Sequence, residues 1–81
     1  MITDAEKNHL QVGFKQSLKA INEGRAVKAV LALDCDEKIS APIRKAASDT
    51  NTELAEIPTM HELGVVCGIE VGASCAVVLA E

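Results

Sequence analysis

Gly13-Phe14-Lys15-Gln16-Ser17-Leu18-Lys19 is the segment of this 81-residue chain best equipped to hold a polyanion. On a helix, at about 100° per residue, Lys15 and Lys19 share one side and Gln16 lies beside them. All three clear the apolar stripe of Phe14, Leu18 and Ile21. Gly13 leaves the start of that helix sterically open, so free backbone N–H groups and the positive end of the helix dipole face outward, a site for a phosphate. Lys15 can donate to guanine O6 and N7, and Gln16 offers a base edge both a donor and an acceptor. Lys19, one turn on, can reach a neighbouring phosphate. The same residues would also serve as an ordinary solvated helix face, and composition alone favours that plainer reading.

A second segment, Cys67-Gly68-Ile69-Glu70-Val71-Gly72, places β-branched residues between glycines in a loop, where exposing them is unfavourable. They are either tucked onto the core or presented to a partner, and periodicity does not choose between the two. Apolar loop side chains can pack against an extruded, unstacked base, the form in which RNA is most often read.

The remaining reactive residues carry little. Asp34-x-Asp36-Glu37 has carboxylates but lacks the twelve-residue pattern, central glycine and distal glutamate of a Ca²⁺ loop, so it reads as a solvated turn. Cys35, Cys67, Cys75, His9 and His61 show no zinc spacing, and there is no Cys-x-x-Cys. Cys67 at a helix end and Cys75 in an apolar strand read as small core residues. No phosphate-cradling glycine-rich loop is present. The expectation is a binding protein and not an enzyme, with no metal and no cofactor.

Charge narrows the partner. The formal net charge is −4, which argues against an indiscriminate nucleic-acid binder, because such binding is built from many phosphate contacts. An acidic protein can still bind RNA when its few cations are concentrated and the rest of the contact reads shape. No segment approaches the ~20 apolar residues of a membrane span. The first residues, Met1-Ile2-Thr3-Asp4-Ala5-Glu6, are acidic and lack an apolar signal core. With an odd number of cysteines in apolar or turn contexts, the expected location is the cytoplasm.

The elements that must position these residues follow from pattern. Thr3 to Glu6 has capping-box spacing and opens a short helix. Leu10-Gln11-Val12 is a brief extended piece, the Phe14 helix follows, and Gly24 ends it. Ala26 to Leu33 is apolar except at Lys28, as in a central strand covered on both faces. Ser40 is expected to cap a helix with Pro42 in its first turn and Ile43, Ala46 and Ala47 buried, closed by Asn51. Leu54 to Ile57 is a strand stopped by Pro58. Thr59-Met60-His61-Glu62 is a second capping box, for a helix burying Met60, Leu63 and Cys67 and ended by Gly68. Ser74 to Ala80 is the last strand. This alternation implies one domain over residues 1–81, a three-layer α/β/α sandwich with a mixed sheet of about four strands and an aliphatic core, since Phe14 is the only aromatic residue.

Two of these segments carry a resemblance. Gly13-Phe14-Lys15-Gln16-x-x-Lys19 is similar to the Gly-Thr-Asn/Lys-Glu/Gln-x-x-Lys signature of the family of ribosomal proteins L7Ae and L30e. Leu63-Gly64-x-x-Cys67-Gly68-Ile69-Glu70-Val71-Gly72-Ala73 resembles its second signature, Leu-Gly-x-Ala-Cys-Gly-Ile-x-Val-Gly-Ala. The match is closest to small bacterial members that use Lys-Gln where archaeal ones use Asn-Glu, and it spans nearly the whole chain. The resemblance implies recognition of kink-turn RNA, a sharply bent helix with tandem sheared G·A pairs. Ribosomal RNA and riboswitches are the candidate carriers, with no DNA and no membrane involved and the protein a monomer. By the same likeness Lys15 and Gln16 meet guanine edges, Lys19 meets the backbone and Gly13 allows close approach. Ile69, Glu70 and Val71 form the loop around a flipped-out nucleotide. Two positions depart from the pattern: Phe14 replaces a Thr, and Leu33 replaces a residue that relatives often make charged. With the acidic balance and Glu23 near the lysines, these departures motivate an alternative, a ribosome-associated protein-interaction module of the same fold with weak or no RNA binding.

Overall fold

The computed structural model describes residues 9–69 and 71–80, so the expected Thr3–Glu6 helix lies outside the described residues, as does Glu70. Four strands, β1 (Leu10–Val12), β2 (Ala26–Ala32), β3 (Glu53–Ile57) and β4 (Cys75–Leu79), form one sheet in the order β1-β4-β2-β3. Three helices connect them: α1 (Phe14–Asn22), α2 (Glu37–Asp49) and α3 (Met60–Cys67). β2 pairs parallel with β3 and antiparallel with β4, and β1 pairs antiparallel with β4, so the sheet is mixed.

β2 explains the layering. Ala29, Val30, Leu31 and Ala32 are all fully buried, and alternate residues serve opposite faces. Ala29 and Leu31 join Ile21, Ile43, Cys75 and Val77 beneath α1 and α2. Val30 and Ala32 join Ile57, Leu63 and Ala73 beneath α3. The result is the expected α/β/α sandwich, with two described helices on one face and one on the other. The core is aliphatic throughout, and Phe14 packs inward at its margin. No described helix is long and apolar enough to cross a membrane.

Helix starts and stops follow local chemistry, with departures from expectation. α2 begins a turn before Ser40. Asp36 is its N-cap, its side chain accepting from the Lys38 amide at 2.9 Å, and Pro42 lies inside the helix. Proline there removes the bond to the Lys38 carbonyl, an interior position rather than the expected first turn, and the helix nevertheless continues to Asp49. Another departure is Met60, which is 36% exposed because it lies at the outer end of α3. β2 also stops at Ala32, one residue short of expectation, with Val27 52% and Leu33 53% exposed. Cys67 is only partly buried, whereas the remaining helix caps fall as expected. Thr59 Oγ1 accepts from the Glu62 amide, and Asn51 (φ 55°) takes the left-handed position after α2. Gly68 does the same for α3, letting the Ile69 amide return to the Gly64 carbonyl at 3.0 Å.

The topology gathers one set of ends. Register pairs Val12 with Ala76, Leu31 with Cys75, and Ala32 with Ile57, so β1, β2 and β3 end where β4 begins. α1, α2 and α3 each start directly beyond one of those strand ends. Three helix N-termini and the loop before β4 therefore share one rim of the sheet.

Candidate functional site

At this rim α1 begins without protection. Its N-cap is Gly13, with φ 113° and ψ 154°, and no side chain caps the helix. The amides of the first turn have no intrahelical acceptor, so they present donors and the positive dipole end outward. A Cβ added at Gly13 would meet no heavy atom within 4 Å. The space is open, and glycine is required by the backbone angle rather than by crowding. Lys15, Gln16 and Lys19 are exposed, while Ser17, Ala20 and Ile21 turn into the core. Ser17 Oγ is buried with no conventional hydrogen-bond partner, facing the soft thiol of Cys75.

The lysines are available. Arg25 is held by Glu23, Arg44 by Glu56, Lys45 by Asp49, and Lys28 lies 3.8 Å from Glu53. Among the described residues Lys15, Lys19 and Lys38 are the lysines and arginines without such a pair. Glu23, expected beside the lysine face, accepts from Arg25 Nε at 2.8 Å. Spacing does not single out Lys38, which has no neighbouring cation on its own helix turn. It stands in the first turn of α2, at the same rim, where a cation gains nothing from the helix dipole.

The second segment divides in two. Ile69 is partly buried against the Val30–Leu63 core, whereas Val71 is 71% exposed. The loop is seated on α3 by backbone contacts. The Ala73 amide donates to the Met60 carbonyl at 3.0 Å, and a Cβ added to Gly72 would crowd Met60. Gly64 is the tightest point: a Cβ there would lie 2.3 Å from the Val71 carbonyl oxygen. The Met60 amide in turn donates to Asp34 Oδ1 at 2.7 Å. Asp34 and Asp36 thus spend carboxylate oxygens on helix amides, which accounts for an acidic turn that resembled a cation loop.

The two segments meet through the sheet. The Gly13 amide donates to the Cys75 carbonyl at 3.0 Å, and the Ala32 amide to the Ser74 carbonyl at 2.9 Å. The chain leaving the Val71 loop therefore docks directly against the residue that opens α1. Leu33, 53% exposed, follows β2 at the same rim. An open helix start, unpaired lysines, an amide side chain and presented aliphatic side chains lie along one edge. Such an edge can bind phosphate, hydrogen-bond a base and pack against an unstacked base.

None of the three cysteines is set up as a nucleophile. Burial pushes the Cys67 and Cys75 thiols up, with the Ser17 and Ser74 hydroxyls opposing at Cys75. Cys35 is raised by burial and then by Asp34. A raised thiol stays protonated at neutral pH, and the thiolate is the reactive form.

Comparison with known proteins gives a consistent result. A family model described as "Ribosomal protein L7Ae/L30e/S12e/Gadd45 family" matches residues 3–81. An RNA-binding protein of Caldanaerobacter subterraneus is 38% identical over 65 residues, covering 80% of this chain and 79% of that protein. The RNA-binding protein YbxF of Geobacillus stearothermophilus is 34% identical over 68 residues, covering 84% and 83%. A solved 15.5kD RNA binding protein of Giardia lamblia superposes with a TM-score of 0.85 at 24% identity. That superposition covers 95% of this chain but 65% of the Giardia chain, and at this identity it speaks for the fold alone.

Proposed function

The chain belongs to the ribosomal protein L7Ae/L30e/S12e/Gadd45 family, and from that premise we propose that it binds RNA, recognising and stabilising the kink-turn. The observation that carries the proposal is the hydrogen bond from Gly13 to Cys75, which sets the uncapped start of α1 beside the Val71 loop. Lys15 and Gln16 meet the edges of the sheared guanines, and Lys19 takes a backbone phosphate. Gly13 lets the RNA approach the open amides. Val71, exposed in the loop, packs on the flipped-out nucleotide while Ile69 braces it from the core side. The relatives named as RNA-binding proteins support this class of partner. Pairing of Glu23 with Arg25 supports it too, because a cation there partly offsets the carboxylate nearest in sequence after Lys19.

Such a protein catalyses nothing; it acts as a cytoplasmic monomer that shifts the RNA from extended to bent. Moving a two-state RNA from 1:99 to 99:1 requires about 5.5 kcal/mol of preferential binding. Two base contacts at roughly 1–3 kcal/mol each cover much of that, and the loop must supply the remainder. With few phosphate contacts, affinity depends on RNA shape and only modestly on salt. Calorimetric titration of a kink-turn RNA and of a matched duplex lacking the G·A pairs tests the proposal. Clear preference for the kink-turn is expected, and equal weak binding to both would sink it.

A further inference from the structure

The Val71 loop takes its position from α3. The Ala73 amide is bound to the Met60 carbonyl, Gly72 lies against Met60, and the Val71 carbonyl sits over Gly64 with no room for a side chain. Whatever fixes the first turn of α3 therefore fixes the loop. Thr59 caps that turn locally through the Glu62 amide, at 3.1 Å. The Met60 amide goes elsewhere, to Asp34 Oδ1 at 2.7 Å, a carboxylate 26 residues earlier in the turn after β2. A first-turn amide can be satisfied by water alone. Here it makes a short charge-assisted bond to another element, a stronger and more directional tie.

We propose that Asp34 is a positioning residue for RNA recognition: by holding the Met60 amide it sets the Val71 loop against the α1 contact strip. The inference rests on the RNA-binding reading above. A carboxylate at the rim that receives phosphate opposes RNA electrostatically, so any contribution Asp34 makes to affinity comes through geometry. That separates the two effects by sign. Asp34→Asn keeps the acceptor oxygen and removes the charge; Asp34→Ala removes both.

Binding of kink-turn RNA is measured by calorimetry for both variants, alongside hydrogen exchange at the Ala73 amide. Asp34→Ala should weaken binding about tenfold, the scale of a lost hydrogen bond to a charged acceptor, and should speed Ala73 exchange. Asp34→Asn should keep both near wild type or tighten binding slightly. Tighter binding by both variants, or unchanged affinity and exchange in Asp34→Ala, overturns the inference. So does an Asn variant as impaired as the Ala variant. A wild-type protein that fails to distinguish a kink-turn from a continuous duplex overturns the functional reading instead, and the exchange experiment still decides whether Asp34 holds the loop.

Discussion

α1 and α3 start at the same rim of one sheet, and their first turns are built in opposite ways. α3 has Thr59 accepting from the Glu62 amide and Asp34 reaching across to the Met60 amide. α2 resembles it, with Asp36 on the Lys38 amide. α1 has a glycine, no capping side chain, and empty space where a cap would stand. A glycine N-cap in place of a capping side chain costs a helix only about a few tenths of a kcal/mol, so the open start is cheap to keep. The difference teaches that the closed starts hold the architecture, while the open one leaves free amides at the rim, which the proposed function assigns to RNA. The loop between α3 and β4 belongs to the closed side in its attachment and to the open side in what it presents, since Ile69 is tucked and Val71 exposed.

Substitutions can break this contrast. The largest effect is expected from Gly64→Ala on the closed side, because a Cβ would lie 2.3 Å from the Val71 carbonyl and the loop backbone must move. Overpacking of this kind costs roughly 1–3 kcal/mol of stability. The displaced loop should also lose affinity for kink-turn RNA, so melting temperature and Kd fall out of line with wild type together. A variant with wild-type affinity would show that the loop does not take its place from α3. Next come Lys15→Ala and Gln16→Ala on the open side, each expected to cost about 1–3 kcal/mol of binding with the melting temperature nearly unchanged.

Smaller changes sharpen the same contrast. Asp36→Ala removes the α2 cap and should lower stability by about 1 kcal/mol, leaving RNA affinity unchanged or slightly raised by the lost negative charge. Lys19→Ala should lower the slope of log K against log salt by about one unit, with equal loss for kinked and continuous RNA, as expected of a phosphate contact. If Asp36→Ala were to impair binding as strongly as Lys15→Ala, the division between closed and open helix starts would fail.

Features written in neighbouring residues were legible in the sequence. Thr59 and Glu62 announced the α3 cap, Gly68 and Asn51 the helix ends, and the apolar run of β2 its place between two layers. Pro42, by its preference for a first turn, points to Ser40 as the cap, whereas Asp36 makes the actual one. Met60 misled by its hydrophobicity, since the outer end of α3 leaves it partly exposed. The loop residues could not be sorted by pattern, because Ile69 and Val71 are alike in type and differ only in how Gly64 and Met60 receive the backbone. Asp34 looked like a solvated turn for a similar reason: its partner is 26 residues away, and no local spacing encodes the bond. The Glu23–Arg25 ion pair joins residues past the end of α1, where helical spacing no longer says which side chains meet.

The central claim is that the open α1 start and the presented loop together select a bent RNA. Energy transfer between dyes on the two arms of a kink-turn RNA, measured as protein is added without divalent cations, tests it most directly. A saturable rise in transfer with wild-type protein, absent for the duplex lacking G·A pairs and weakened in Gln16→Ala, is the predicted result. Binding detected by mobility shift with no change in transfer would contradict it.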